Sequence, residues 1–181
     1  MPLTIVVPGR DFYDPESNRF ISVKEQKLVL EHSLLSIAKW ESKWHKAYLS
    51  KTKKTDEENI DYIRCMCLTE PPDPNVFYAL TVQNVKDIAD YISNPMTATT
   101  FKNQNQRPSR EIITNELIYF WMTNFNIPFD PCQKWHLNRL MTLIEVASIK
   151  SQPGKKMSKR DILSQNAALN AARRAKYGTK G

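Results

Sequence analysis

Two proline clusters limit what this chain can fold into. "EPPDP" (70–74) and "IPFDP" (127–131) each interrupt runs of apolar residues spaced three and four apart. Proline cannot donate to the helical ladder, and it pushes the residue before it out of the helical region. The chain must therefore be a set of helices that stop and restart. Ahead of the first cluster, "TDEEN" sets Thr55 as an N-cap with Glu58 three positions on and acids in the first turn. That arrangement satisfies the free amides and the helix dipole. The stripe behind it is Ile60, Ile63, Met66 and Cys67. Thr81 caps a further helix with Val85, Ile88, Ala89 and Ile92 on one face. Ser109 caps another, carrying Ile113, Leu117, Phe120, Trp121 and Phe125. Trp135, Leu140, Leu143, Ile144 and Ala147 mark its partner in an αα-hairpin. Leu34, Ile37, Ala38, Trp40 and Trp44 suit a helix over 33–47.

The N-terminus reads differently. "LTIVV" (3–7) and "RFISV" (19–23) are short β-branched runs, with Asp14-Pro15 and Ser17-Asn18 supplying turn chemistry between them. "KLVLEH" (27–32) alternates Leu28 and Leu30 with polar neighbours and is expected to be a third strand. The competing reading starts a helix at Ser22, since Ser22 and Glu25 have capping-box spacing. "SNPMTATTFKNQNQRPS" (93–109) is polar and proline-bounded, so it is expected to be a loop. The expected class is α+β, mainly α, with a small N-terminal β element and about five body helices. The expected core includes Leu34, Ile37, Trp40, Ile63, Ile88, Leu117, Phe120, Trp121, Trp135, Leu140 and Ile144.

Charge divides the chain unevenly. Residues 150–181 hold nine cations against one acid, Asp161, a charge of +8 that leaves −1 for the first 149 residues of a chain totalling +7. The division expected is a globular body over 1–149 and a basic arm over 150–181. "KSQPGKKM" (150–157) reads as a hydrophilic linker. Ser158 and Asp161 open a final helix closed by Gly178. Its apolar stripe, Ile162, Leu169 and Ala172, is too narrow to bury much, so it should fold against something else. A near-neutral body speaks against a basic nucleic-acid groove, and phosphates could be reached only through 150–181.

No catalytic, metal or cofactor site is legible. Cys65 and Cys67 form C-x-C and Cys132 stands alone, none with zinc-knuckle spacing. Four glycines leave no phosphate-cradling loop. Cys132 and His136 are four apart, but nothing nearby orients the imidazole. Glu111 and Glu116 are five apart, the wrong interval for a carboxylate pair on one face. The longest apolar run, "IYFWM" (118–122), is far short of a membrane span, and no signal peptide is visible. A non-enzymatic cytosolic protein without cofactors is expected.

The candidate binding residues follow from this. Trp40 and Trp44 share a helical stripe with Lys39, Lys43 and Lys46 beside them. The first reading of the tryptophans is core, the second a partner patch, the third a platform for stacked bases. The lysines are expected to form a solvated face with their stems over the rings. Met96 and Phe101 in "NPMTATTF" could form an adaptable contact loop. In the arm, Ile162 and Leu169 are candidates for an apolar groove and Arg173, Arg174 and Lys176 for an acidic surface.

The stretches "LEHSLLSIAKWESKWHK", "YIRCM", "NPMTATTF", "RPSREIITNELIYFWM", "IPFDPCQKWHLNRLMTLIEV" and "KKMSKRDILSQNAALNAARRAKYGTKG" resemble a family of small proteins from the structural gene block of tailed bacteriophages, the tail assembly chaperones. The resemblance runs from about Phe12 to Gly181. It implies a protein of the host bacterial cytoplasm that binds the long apolar helix of the tape-measure protein and helps tail-tube subunits collect on it. It also allows a homo-oligomer and, as in other chaperones of this class, a frameshift-extended form. Two alternatives share these features: a connector or baseplate component of the virion, and a nucleic-acid-binding phage protein acting through 150–181.

Overall fold

The structure, a computed structural model, describes residues 2–14, 18–68, 73–101, 111–151 and 159–178. It is mainly α with a small β part. The chain divides into two compact units, Met1–Ser148 and Ile149–Gly181.

The β part holds four strands: β1 (Leu3–Val7), β2 (Arg10–Asp14), β3 (Arg19–Val23) and β4 (Gln26–Leu30). β1 pairs with β4 and β2 with β3, both antiparallel. The two ladders share one register, since paired residue numbers add to 33 in both, from Leu3↔Leu30 to Asp14↔Arg19. They are one long ribbon interrupted at Pro8 and Gly9. Pro8 has no amide for the ladder. A Cβ at Gly9 would stand 3.2 Å from the Glu25 nitrogen and 3.3 Å from the Val23 oxygen, so only glycine fits this crossing without a shift. Alternation then sorts the faces. Ile5, Val7, Val23, Leu28 and Leu30 are buried, whereas Val6, Tyr13 and Phe20 are exposed. β2 was not expected: "RDFYD" sets two adjacent aromatics between charged residues and lacks the β-branched residues that mark its neighbours.

Helix α1 (Leu34–Trp44) is capped by Ser33, and α2 (Asp56–Met66) by Thr55 in a full capping box with Glu58. A short 3-10 helix (Pro74–Tyr78) precedes α3 (Val82–Ser93), where Thr81 and Asn84 form a second capping box. Asn84 also donates to the Val6 carbonyl at 3.1 Å, tying α3 to the ribbon. α4 (Asn115–Asn124), α5 (Phe129–Cys132) and α6 (Leu137–Ser151) follow. α6 continues through Ser151, so Lys150 is helical and not yet linker. In the second unit, α7 (Lys159–Tyr177) ends at Gly178, whose φ of 63° is the left-handed cap that glycine favours. The expected caps Ser109 and Ser158, and the linker beyond Ser151, lie outside the described residues, but α4 is capped by Thr114, so the helix expected from Ser109 starts later and Ile113 precedes it.

Most of the expected core is buried: Leu34, Ile37, Trp40, Ile63, Ile88, Leu140 and Ile144. The face of α4 is a correction. Phe120 is 63% exposed and Leu117 and Trp121 are half-buried, while Ile118 and Met122 are fully enclosed. Trp135 is also half-buried, with the Arg139 guanidinium 4.2 Å over its ring. Residues 117–122 are all apolar or aromatic, so periodicity cannot choose a face there. A polar contact chooses it. The Glu41 carboxylate accepts from the Asn115 amide nitrogen at 2.8 Å and its carboxamide at 2.7 Å. With Asn115 turned inward, Ile118 and Met122 follow on the same stripe. The other Glu41 oxygen accepts from the Tyr48 amide at 2.7 Å.

Two substitutions test this account. Met122→Ala should cost about 2–5 kcal/mol in urea unfolding, and Phe120→Ala should stay within about 0.5 kcal/mol. Glu41→Gln turns one acceptor into a donor facing donors and should cost about 1–3 kcal/mol by the same measurement.

Candidate protein-interaction site

Trp40 and Trp44 do lie on one face, with centroids 6.2 Å apart and planes at 28°. That face meets α2. Trp40 is 1% exposed and its indole donates to the Glu58 carbonyl at 2.9 Å, so it belongs to the core and offers a partner nothing. Trp44 is half-buried, and its indole donates to the Asp61 carboxylate at 2.8 Å. The lysines do more than cover the rings. Lys43 pairs with Asp61 and Lys46 with Glu58, each ammonium lying 5.8 Å from the Trp44 centroid. Lys39 alone of the three is simply exposed among the described contacts. Glu58 and Asp61 are nearly enclosed. The hydrogen bond from Lys46, then that from Thr55, holds the Glu58 carboxyl below its ordinary range.

The surface that sequence reasoning missed lies on the other side of α2. A cleft of about 560 Å³ runs between α2 and α3 over the 3-10 helix. Its walls include Ile60 and Ile63 from α2, Val85 and Ile92 from α3, and Tyr78 and Leu80 between. Tyr78, Val82 and Val85 are exposed at or beside it. The sequence does carry a signal for this surface. Residues 55–94 hold eight acids against two cations, whereas 33–54 hold six cations against one acid. The body's small net charge hides this separation. Asp56 lines the cleft, and Glu57 and Asp90 are exposed on the same two helices.

The expected contact loop is only partly a loop surface. Met96 sits at φ 51° in a turn closed by its amide on the Asn94 side chain at 2.9 Å, and its thioether packs against the core. Phe101 is half-buried at the edge of the described segment. In α7, Leu163 is 69% exposed, Leu169 53% and Tyr177 70%. Arg173, Arg174 and Lys176 are exposed too. The Ile162 side chain lies outside the described residues.

A third cluster is buried and polar. The His32 Nδ1 is hydrogen-bonded to the Tyr62 hydroxyl, Tyr62 stacks on Tyr48 at 3.8 Å, and the His136 ring lies 5.1 Å from His32. His136 accepts from the Asn138 amide at Nδ1 (3.3 Å), so Nε2 carries the proton it shares with the Tyr91 carbonyl at 3.0 Å. Both nitrogens are thus engaged, and neither serves Cys132. Burial, and secondarily His136, lowers His32 to about 4, and burial lowers His136 as well. Burial pushes the Tyr62 hydroxyl up. Among the described residues no group of three or more His, Cys, Asp or Glu could hold a metal ion. Among them, too, no helix is long and apolar enough to cross a membrane.

The histidine pair gives the fold a defined acid limit. His32 is neutral in the fold down to about pH 4, while an unfolded histidine binds its proton near 6.5. Between those values the unfolded state holds more protons, so stability falls as the pH drops and then levels off. The loss should be roughly 3 kcal/mol from His32, with His136 acting in the same direction. His32→Gln should flatten the curve between pH 6.5 and 4 in chemical unfolding measured at a series of pH values. Set against known protein families, curated proteins and solved structures, the chain matches none.

Proposed function

We propose that this chain is a non-enzymatic tail assembly protein of a tailed bacteriophage, acting in the host cytoplasm as a chaperone for the tape-measure protein and tail-tube subunits. The observation that carries the binding reading is α7. It is a 19-residue helix with exposed Leu163, Leu169 and Tyr177 beside exposed Arg173, Arg174 and Lys176. A helix with so little enclosed apolar surface is marginal alone and gains stability from a partner. Helix-in-groove recognition buries the apolar side chains of one helix face, and the cations set register and speed encounter with an acidic surface. The phage assignment is supported by the resemblance of the long sequence stretches quoted above.

The +8 charge over 150–181 also favours a second reading, contact with nucleic acid through the arm. The two differ in their dependence on salt and sequence. Phosphate binding would weaken by powers of ten between low and moderate salt on any DNA. A protein groove retains its apolar contribution.

The test is co-expression with the adjacent tape-measure protein and recovery of a complex. The full chain should be recovered with it, and a chain ending at 149 should not, while the melting temperature of that shortened chain stays within about 5 °C of the full chain. Arg173→Glu with Arg174→Glu should slow association about tenfold at low salt and less at high salt. A shortened chain that aggregates would show α7 to be needed for folding. Equal recovery without the arm would end the docking reading. Recovery of the protein in purified virions would favour the connector or baseplate alternative.

A further inference from the structure

We propose that the α2–α3 cleft of one copy receives helix α7 of a second copy of this chain. The inference rests on the reading of α7 as a docking arm and names its partner.

Three observations converge. The cleft is a preformed apolar trough of about 560 Å³, walled by Ile60, Ile63, Val85 and Ile92 with Tyr78 at its mouth. Aliphatic walls of this kind suit a leucine side chain, and α7 exposes Leu169 with Tyr177 about 80° from it around the helix, whereas Leu163 lies about 120° away. The third observation is charge. The segment that builds the cleft, 55–94, holds eight acids and two cations. Two of those acids, Glu58 and Asp61, are already paired, with Lys46 just beyond α1 and with Lys43 in its last turn. The surplus that remains faces solvent through residues such as Asp56, Glu57 and Asp90. The arm carries nine cations and one acid. The neighbouring block, 33–54, is itself cationic and would repel the arm. Each copy thus owns one acidic apolar cleft and one basic apolar helix. An exchange between two copies is self-complementary and closes as a pair.

The experiment measures the mass of the full chain in solution by sedimentation equilibrium over a range of micromolar concentrations. The expected result is a dimer that dissociates on dilution, more readily at about 0.5 M than at about 0.05 M salt. Two charge swaps are then made in full chains: Asp56→Lys with Asp90→Lys on the cleft, and Arg173→Glu with Arg174→Glu on the arm. All four positions are exposed, so circular dichroism should be unchanged. Each swapped chain alone should dimerise at least about tenfold more weakly. Mixed together, they should regain association, since the acidic arm of one meets the basic cleft of the other. Val85→Asn, which places an uncharged polar group on the apolar wall, should weaken the dimer at low and high salt alike. A monomer under all conditions overturns the exchange, whether the arm stays free, folds back on its own body, or waits for a phage protein. Recovery of the tape-measure complex by such a monomer would leave the docking arm standing and remove only its second-copy partner. A dimer that the arm swap weakens and the cleft changes do not would also overturn it, since the arm would then dock elsewhere.

Discussion

The first unit depends on a short backbone segment, Val29–Ser33, that serves four elements at once: β1, α1, α2 and α6. On one side, the Leu68 amide donates to the Val29 carbonyl at 3.0 Å and the Glu31 amide to the Met66 carbonyl at 2.8 Å, fixing the end of α2. On the other, the Leu137 amide donates to the His32 carbonyl at 2.8 Å, fixing the start of α6. Between them Leu30 faces Leu3 across the ribbon. Ser33 caps α1, and Ser36 returns a hydrogen bond to the Glu31 carbonyl at 2.6 Å. A two-stranded ribbon is unstable alone in water. Here its last residues are held by helix termini that need partners for the same reason. The His32 side chain sits where these elements meet, among Tyr62, Tyr48 and His136, which is why its protonation bears on the whole unit.

The second constraint is the set of enclosed carboxylates. Glu41, Glu58 and Asp61 are all nearly buried, and each has its oxygens satisfied. Glu41 takes amides from Tyr48 and Asn115; Glu58 takes Lys46 and the Thr55 amide; Asp61 takes Lys43 and the Trp44 indole. Buried pairs of this kind add little net stability compared with apolar packing, but leaving one unpaired is costly. Their effect is to make one arrangement of helices much better than its neighbours. α1 cannot rotate on α2 without stranding Glu58 or Asp61, and α4 cannot rotate without stranding Glu41.

The sequence is legible where a local rule is strong. Thr55, Thr81 and Gly178 are short-range signals, and each marks a helix end in the structure. The preference for a strand at Leu28 and Leu30 held because alternation places both inside. The failures occur where the deciding contact is distant. α4 is apolar all round, and its inward face is set by Glu41, seventy-four residues away. β2 is a strand because Phe12 and Tyr13 lie opposite Ile21 and Phe20, not because its own residues favour one. Trp40 and Trp44 were placed on the right helical face, yet the reason Trp44 is half-covered, its bond to Asp61, could not be read from spacing.

The same limit hides the separation of charge along the body. A net charge of −1 over the first 149 residues reads as neutral only when summed. Along the chain it is a cationic block at 33–54 followed by an acidic block at 55–94. Folding partly cancels the two through Lys43–Asp61 and Lys46–Glu58, and those contacts lie between α1 and α2. The cancellation is therefore confined to one side of α2. Asp56 is left on the side that borders the apolar cleft. Screening over about 8–10 Å makes such local separation, and not the sum, what an approaching helix senses.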